Sequence, residues 1–123
     1  MILVDTSVWV DHLRRGDAAL GAALDANLVA IHPFVIGELA CGSLKPRGQV
    51  LGLLRSLARL AAAKDDEVLD FLERHRLMGR GLGYIDVHLL AATALHGAVL
   101  WTRDKRLKRA AVEMALAHIE PAR

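Results

Sequence analysis

The sequence predicts an α/β fold of three layers, in which helices cover both faces of a parallel sheet of four to five short strands. Short apolar runs at residues 2–4, 27–31 and 98–102 have the length of buried strands. The segments between them carry apolar residues at helical spacing. Strands separated by helices pair in parallel through right-handed crossovers. The length of 123 residues fits a single domain, residues 1–123.

The composition indicates a globular protein in a reducing compartment. Hydrophobic residues make up 54% of the chain and charged residues 24%. Charged residues or histidines interrupt every apolar stretch, so we expect no membrane span and no signal peptide. Cys41 is the single cysteine, which excludes an internal disulfide, suits the cytoplasm and predicts a small buried side chain. The formal charge of +2 permits an anionic partner without requiring one.

The first half of the chain alternates predicted strands and helices. A helix follows the strand at 2–4, a second short helix covers 17–26, and 27–31 is the second strand. Pro33 suits the first turn of a third helix, which ends near Gly42. Apolar residues at i, i+3, i+4, i+7 and i+11 predict a fourth, amphipathic helix: Val50, Leu53, Leu54, Leu57 and Ala61.

The second half continues the same alternation. Residues 60–64 are a possible third strand, although their alanines favour strands weakly. Acidic residues at 65–67 match the positive end of the next helix dipole. The remaining predicted elements are the rest of that helix, ending around 78–83, a helix at 86–96, a fourth strand at 98–102, a basic helix at 105–116 and a possible fifth strand at 117–121.

Two predicted strands end on an acid. Asp5 directly follows the strand at 2–4, and Asp104 lies two residues past the fourth strand. In open parallel sheets the functional crevice lies beyond the carboxyl ends of the strands. Each acid also has a simpler interpretation, because Asp is a favoured helix N-cap, and Asp86 in the first turn of its helix has the same alternative.

Glu38 is the acid least easily explained by helix capping. Its neighbours one turn away on the predicted helix are apolar or small, and a charge on an apolar face is costly unless it is paired or binds a metal. No Lys or Arg lies nearby on the same helix. The alternative is a basic partner from another element, such as Arg103.

Together, the four acids predict a cation site if they converge at one edge of the sheet. Two like charges about 4 Å apart repel by roughly 4 kcal/mol at an effective dielectric constant of 20. A carboxylate cluster therefore takes up protons or binds cations. Ligands that are all oxygen favour Mg²⁺ or Mn²⁺, and such an ion supports phosphodiester hydrolysis.

Four stretches of the chain resemble the PIN-domain family, and in particular its VapC-type toxin ribonucleases. They are "MILVDTSVWVDHL", "GELACG", "GRGLGYIDVHLLAAT" and "GAVLWTRDKRL", in the family's order and spacing. Some members carry a further acid after the last one, where this chain has Lys105 and Arg106, so a second metal stays open. The resemblance places metal-binding and catalytic acids at Asp5, Glu38, Asp86 and Asp104, and supporting hydroxyls at Thr102 and at Thr6 or Ser7.

The resemblance implies a Mg²⁺- or Mn²⁺-dependent endoribonuclease that is held inactive by a cognate antitoxin. Toxins of this type usually form homodimers, and the antitoxin lays a C-terminal segment across the active-site groove. Two alternatives stay open. The chain could be a non-catalytic PIN-like module that binds RNA or a protein, and cleavage of DNA is not excluded by the sequence.

The basic helix is the predicted contact with the RNA backbone. Lys105, Lys108 and Arg109 share one face, and Arg106 lies beside them directly after Asp104. The alternative is a merely solvated outer face. We expect RNA contacts at six positions: Arg80, Arg103, Lys105, Arg106, Lys108 and Arg109.

Overall fold

The computed structural model describes residues 1–121, which form a parallel sheet with helices between its strands. Strands and helices alternate as the sequence predicts. In chain order the elements are β1 (Ile2–Val4), α1 (Thr6–Arg15), α2 (Ala18–Asp25), β2 (Val29–Ile31), α3 (Pro33–Ala40), α4 (Arg47–Ser56), β3 (Ala58–Arg59), α5 (Asp65–Arg74), α6 (Tyr84–Leu95), β4 (Val99–Trp101) and α7 (Lys105–Glu113).

The sheet has the strand order β3-β2-β1-β4, and every pairing is parallel. Ile2 pairs with Val29 on one side and with Val99 on the other, so β1 lies between β2 and β4. All residues of β2 are buried. Because successive strand residues point to opposite faces, helices must cover both sides of the sheet. The predicted three-layer fold is thus confirmed, and β1 and β4 end side by side.

The third strand lies earlier than predicted. It covers Ala58–Arg59 instead of 60–64, and α4 ends at Ser56 instead of continuing to Ala61. The partner strand explains the shift. The last hydrogen bond between the two strands runs from the Leu60 N–H to the carbonyl of Ile31, the final residue of β2. Because α3 begins at Pro33, residues beyond 60 have no strand to pair with.

The possible fifth strand at 117–121 is reduced to one bridge between Leu100 and Ala117. Leu100 donates to the carbonyl of Leu116 and accepts from His118. Glu120 then turns away to pair with Arg103, so the ladder stops after one residue.

Positive φ angles explain why two helices end earlier than predicted. Arg76 has a φ of 52° shortly after α5, and Ala115 has a φ of 57° shortly after α7. A left-handed residue cannot continue a right-handed helix. The helix predicted at 86–96 begins earlier, at Tyr84, because Gly83 donates its N–H to Asp86 and thereby starts the first turn.

Two predictions from composition have different outcomes. Within residues 1–121, no helix has the length and hydrophobicity needed to cross a bilayer. Cys41, predicted to be buried, is exposed instead, because it caps the end of α3 and leaves the packed face to Leu39.

His32 joins β2 to α3 and is fully buried. Its Nδ1 accepts the N–H of Phe34 at 3.0 Å and so caps α3. Its Nε2 has no hydrogen-bond partner among residues 1–121. Burial, followed by the charges of His88, Arg59 and His96, lowers the pKa of His32 to about 4. A buried ring that resists protonation makes folding depend on pH.

We expect the free energy of unfolding to fall by about 3 kcal/mol as the pH drops from about 6.5 to 4, since the unfolded chain binds a proton there that folded His32 does not. His32→Asn keeps a capping acceptor and removes the titration, so the variant should lose most of this pH dependence. Urea unfolding at a series of pH values measures it. His75→Asn, which changes an exposed histidine, is the control, and an unchanged slope in His32→Asn would contradict the prediction.

Candidate active site

Asp5 leaves the end of β1 and is only 7% exposed. It caps α1, as the simpler interpretation predicts, but the cap uses only one of its oxygens. Oδ2 accepts hydrogen bonds from the Ser7 amide at 3.5 Å, the Ser7 hydroxyl at 2.8 Å and the Thr102 hydroxyl at 2.8 Å. Helix capping and presentation of an acid at the sheet edge therefore occur in the same residue.

Hydroxyl groups join the ends of β1 and β4. The Ser7 and Thr102 hydroxyls lie 3.3 Å apart, and Ser7 also accepts the N–H of Arg103 at 3.0 Å. Thr102 accepts the N–H of Asp104 at 3.1 Å. These contacts fix the position of Asp5 against the segment that carries Asp104. The sequence left the choice between Thr6 and Ser7 open, and it is Ser7 that contacts Asp5.

Asp86 and Asp104 each lie at the start of a helix. Asp104 Oδ1 accepts the N–H groups of Arg106 and Leu107, both at 3.0 Å, and Asp86 Oδ2 accepts the N–H of Gly83 at 2.9 Å. Burial raises the pKa of Asp86, and the negative charges of Asp5 and Asp104 raise it further. Asp5 and Asp104 are thus near enough to repel a negative charge on Asp86.

Glu38 lies at the same edge but not in the environment that the sequence predicts. Its side chain is exposed, because α3 buries Val35, Ile36 and Leu39 instead. Burial on an apolar face was therefore a wrong reason for singling it out. Thr6, the first residue of α1, donates its hydroxyl to Glu38 Oε1 at 2.9 Å and so connects Glu38 to the segment that begins with Asp5.

The four acids share a pattern of half-used carboxylates. In each one, a single oxygen accepts all the hydrogen bonds that residues 1–121 supply, and the other oxygen accepts none. No Lys or Arg within the described chain forms an ion pair with any of them. Uncompensated carboxylate oxygens have the donor chemistry that a hard divalent cation requires. The acids fitting this description are Asp5, Glu38, Asp86 and Asp104.

These acids do not form a closed ligand set as they are placed. Across residues 1–121, no three His, Cys, Asp or Glu side chains are arranged so that they could hold one metal ion jointly. Mutual repulsion and local hydrogen-bond donors favour such an open arrangement. The donor chemistry fits a cation, and closure around one would require the free oxygens to rotate inward.

Arg103 lies beside the candidate site, but its guanidinium is fully engaged elsewhere. It forms ion pairs with Asp11 at 2.7 Å, Asp17 at 2.6 Å and Glu120 at 2.8 Å. These partners raise the pKa of Arg103, and its hydrogen bonds lower the pKa of Asp11 and Asp17. Arg103 is therefore neither the partner of Glu38 nor placed as a free RNA contact.

Sequence reasoning missed this ion-pair cluster entirely. Its acids come from α1, from the N-cap of α2 and from the C-terminal segment. No spacing along the chain links them, so no local pattern could have found the cluster.

The other predicted basic residues divide into two groups. Lys105, Arg106 and Arg109 on α7 line a common depression with Arg80 from the loop before α6. Lys108, on the same helix, does not line it. Arg80 also forms an ion pair with Glu113 at 2.8 Å.

The fold is that of a known class of protein. The model of the PIN domain matches residues 2–113, and the chain belongs to this family.

One relative has a much higher sequence identity to this chain than membership of the family requires. The chain is 53% identical over 121 residues to the protein named ribonuclease VapC32 of Mycobacterium tuberculosis, in strains CDC 1551 and H37Rv, with 98% of each chain covered.

Solved structures support the fold. A toxin–antitoxin complex from Klebsiella pneumoniae matches with a TM-score of 0.65 at 22% identity, covering 85% of this chain and 87% of that one. The protein PAE2754 from Pyrobaculum aerophilum matches with a TM-score of 0.62 at 23% identity, covering 94% of this chain and 85% of that one.

Proposed function

We propose that this chain is a Mg²⁺- or Mn²⁺-dependent endoribonuclease and the toxin of a type II toxin–antitoxin pair. The observation that carries the proposal is the set of four half-used carboxylates at one edge of the sheet, without a basic partner. The name of the relative, a ribonuclease at 53% identity over nearly the whole chain, supports RNA as the substrate.

Three of the four acids would bind the metal ion, and the fourth, Glu38, would activate the attacking water. Asp5, Asp86 and Asp104 would hold the ion with their free oxygens, and Ser7 and Thr102 keep Asp5 in place. A bound Mg²⁺ or Mn²⁺ supplies a water of lowered pKa and stabilises charge on the phosphoryl oxygens.

Glu38 has a different environment and is assigned a different role. Its exposed carboxylate, oriented by the Thr6 hydroxyl, accepts a proton from the attacking water. The water oxygen attacks phosphorus in line and the P–O3′ bond breaks. The departing 3′ oxygen takes a proton from solvent, which gives 5′-phosphate and 3′-hydroxyl ends.

A groove beside Glu38 supports the proposal of an antitoxin partner. It measures about 500 Å³ and runs between α1 and the segment from α3 to α4. Val10, Leu13 and Leu39 line it, and Thr6 and Glu38 lie along it. An amphipathic antitoxin segment in this groove would cover Glu38 and so block access of RNA to it.

A homodimer is part of the same proposal. Leu69 on α5 and Leu95 on α6 are 52% and 60% exposed, and burial of such leucines between two copies would stabilise a dimer.

The alternative function is a non-catalytic PIN-like module that binds RNA or a protein. The open arrangement of the acids is the observation that favours it, since no ready metal-binding set exists within residues 1–121.

Metal dependence separates the two functions. Antitoxin-free protein is incubated with total cellular RNA in EDTA and then with excess Mn²⁺, and the cut ends are mapped by sequencing. We expect no cleavage in EDTA and discrete 5′-phosphate ends with Mn²⁺. An identical incubation with single-stranded DNA tests whether the activity is limited to RNA. RNA that stays intact with Mn²⁺ would favour the binding module.

A further inference from the structure

The start of α7 and the loop before α6 enclose a depression lined only by cations. It has a volume of about 380 Å³, and no carboxylate lines it. We call it the cation pocket, and its residues are Arg80, Lys105, Arg106 and Arg109.

The positive charge of the cation pocket is mostly uncompensated. Arg80 pairs with Glu113, but Lys105, Arg106 and Arg109 form no ion pair within residues 1–121. Like charges held together repel unless an anion lies between them. An unpaired group of cations around one depression therefore indicates an anion site.

Arg106 lies close to the backbone of the loop that contains Gly81. A Cβ atom placed on Gly81 would lie 2.8 Å from Arg106 Nη1 and 2.9 Å from its Cδ. Gly81 also has a φ of +75°, which disfavours other residues. The end of the Arg106 side chain thus packs against the glycine loop, and a side chain on residue 81 would occupy the same space.

The pocket adjoins two of the four acids along the chain. Lys105 and Arg106 directly follow Asp104, and the Gly81 loop leads through Gly83 to Asp86. A strand with one phosphate at the acids would carry its neighbouring phosphates past this pocket.

We propose that the cation pocket binds a single backbone phosphate of single-stranded RNA, next to the phosphodiester that is cut. This inference rests on the proposed function and narrows it. The sequence predicts six basic residues as RNA contacts. The proposal assigns four of them to binding this phosphate and excludes the other two from it. Lys108 lies outside the pocket, and Arg103 is occupied by three carboxylates.

Binding to a fluorescein-labelled oligouridine of about 12 nucleotides tests the proposal in EDTA, where cleavage plays no part. Fluorescence anisotropy gives the dissociation constant between about 50 and 200 mM NaCl. Arg106→Ala or Arg109→Ala should weaken binding about tenfold, the cost of a lost charged contact. Each should flatten the slope of log K against log salt by up to about 0.7, the share of one single-strand phosphate.

Two comparisons make the test specific. Lys108→Ala, the exposed neighbour on the same helix, should behave as wild type. The double variant R106A/R109A should flatten the slope by no more than about 0.7, because both arginines hold the same phosphate. Gly81→Ala displaces the flexible end of Arg106 but keeps its charge. It should therefore weaken binding less than R106A, with the melting temperature measured to confirm folding.

Several results would overturn the cation pocket. They are an equal loss in Lys108→Ala, a slope change in the double variant well above about 0.7, unchanged slopes, or a wild-type chain that does not bind the oligouridine. Cleavage with Mn²⁺ is measured in parallel on mapped RNA. If the oligouridine binds as expected but the wild type does not cleave RNA with Mn²⁺, only the nuclease proposal is refuted. If the wild type cleaves RNA but the pocket variants leave the salt dependence of binding unchanged, only the cation pocket is refuted.

Discussion

Asp5→Asn should lower RNA cleavage by about a thousandfold while the protein stays folded. The amide keeps an oxygen that can accept from Ser7 and Thr102, so the helix cap and the junction of β1 and β4 survive. What is lost is the negative charge that a divalent cation requires at this position. Rates are measured with Mn²⁺ on an RNA whose cut site has been mapped.

Asp25→Asn is the matched control, since Asp25 is an exposed aspartate at the end of α2, outside the candidate site. It should cleave at the wild-type rate. Wild-type cleavage by Asp5→Asn would remove Asp5 from the catalytic machinery, whatever the behaviour of the other acids.

Arg103→Ala should lower the free energy of unfolding by about 3 kcal/mol, or the melting temperature by roughly 10 °C. The substitution removes the guanidinium that Asp11, Asp17 and Glu120 share, so the repulsion between their like charges is no longer offset at that point. The side chain of Asp17 is 11% exposed, so water screens this repulsion only in part. Thermal unfolding followed by circular dichroism measures the change.

Arg103→Lys should recover only part of the loss, because a single ammonium cannot replace the guanidinium fork that reaches three carboxylates. Arg55→Ala, at an exposed arginine on α4, should leave the melting temperature unchanged. The salt dependence of oligouridine binding should also be unchanged in Arg103→Ala. If Arg103→Ala is as stable as the wild type and binds RNA more weakly, Arg103 is instead the RNA contact that the sequence predicts.

The contribution of this ion-pair cluster to the stability of the folded state should decrease at low pH. Hydrogen bonds from Arg103 lower the pKa of Asp11 and Asp17. A carboxylate whose pKa is lower in the folded than in the unfolded chain stabilises the folded state when the pH is above its unfolded-state pKa. This contribution is lost as the pH falls through its folded-state pKa. Arg103→Ala should therefore be less sensitive to acid below about pH 4 than the wild type.

The fold was largely predictable because its determinants are local in the sequence. Apolar runs locate β1, β2 and β4, and their alternation with helices implies a parallel sheet. The third and fifth strands were mispredicted because their extent depends on where partner strands end. Pro33 ends the ladder for β3, and the pairing of Glu120 with Arg103 ends it after Ala117.

The candidate site was predictable only in part. Asp5 and Asp104 follow from the rule that parallel strands present their carboxyl ends at one edge. Glu38 was selected for a burial that it does not have, and its role at the site stays a prediction from the resemblance to the PIN-domain family. The division of the basic residues between the cation pocket and the Arg103 cluster depends on contacts between distant segments, which spacing along the chain does not encode.

Binding of Mn²⁺ to the metal-free protein tests the central claim most directly, and electron paramagnetic resonance of free Mn²⁺ measures it. We expect saturable binding by the wild type, competition by Mg²⁺, and loss of most of the affinity in Asp5→Asn but not in Asp25→Asn. Equal Mn²⁺ binding by wild type and Asp5→Asn, or none by the wild type under conditions that support cleavage, would contradict a carboxylate metal site at this edge of the sheet.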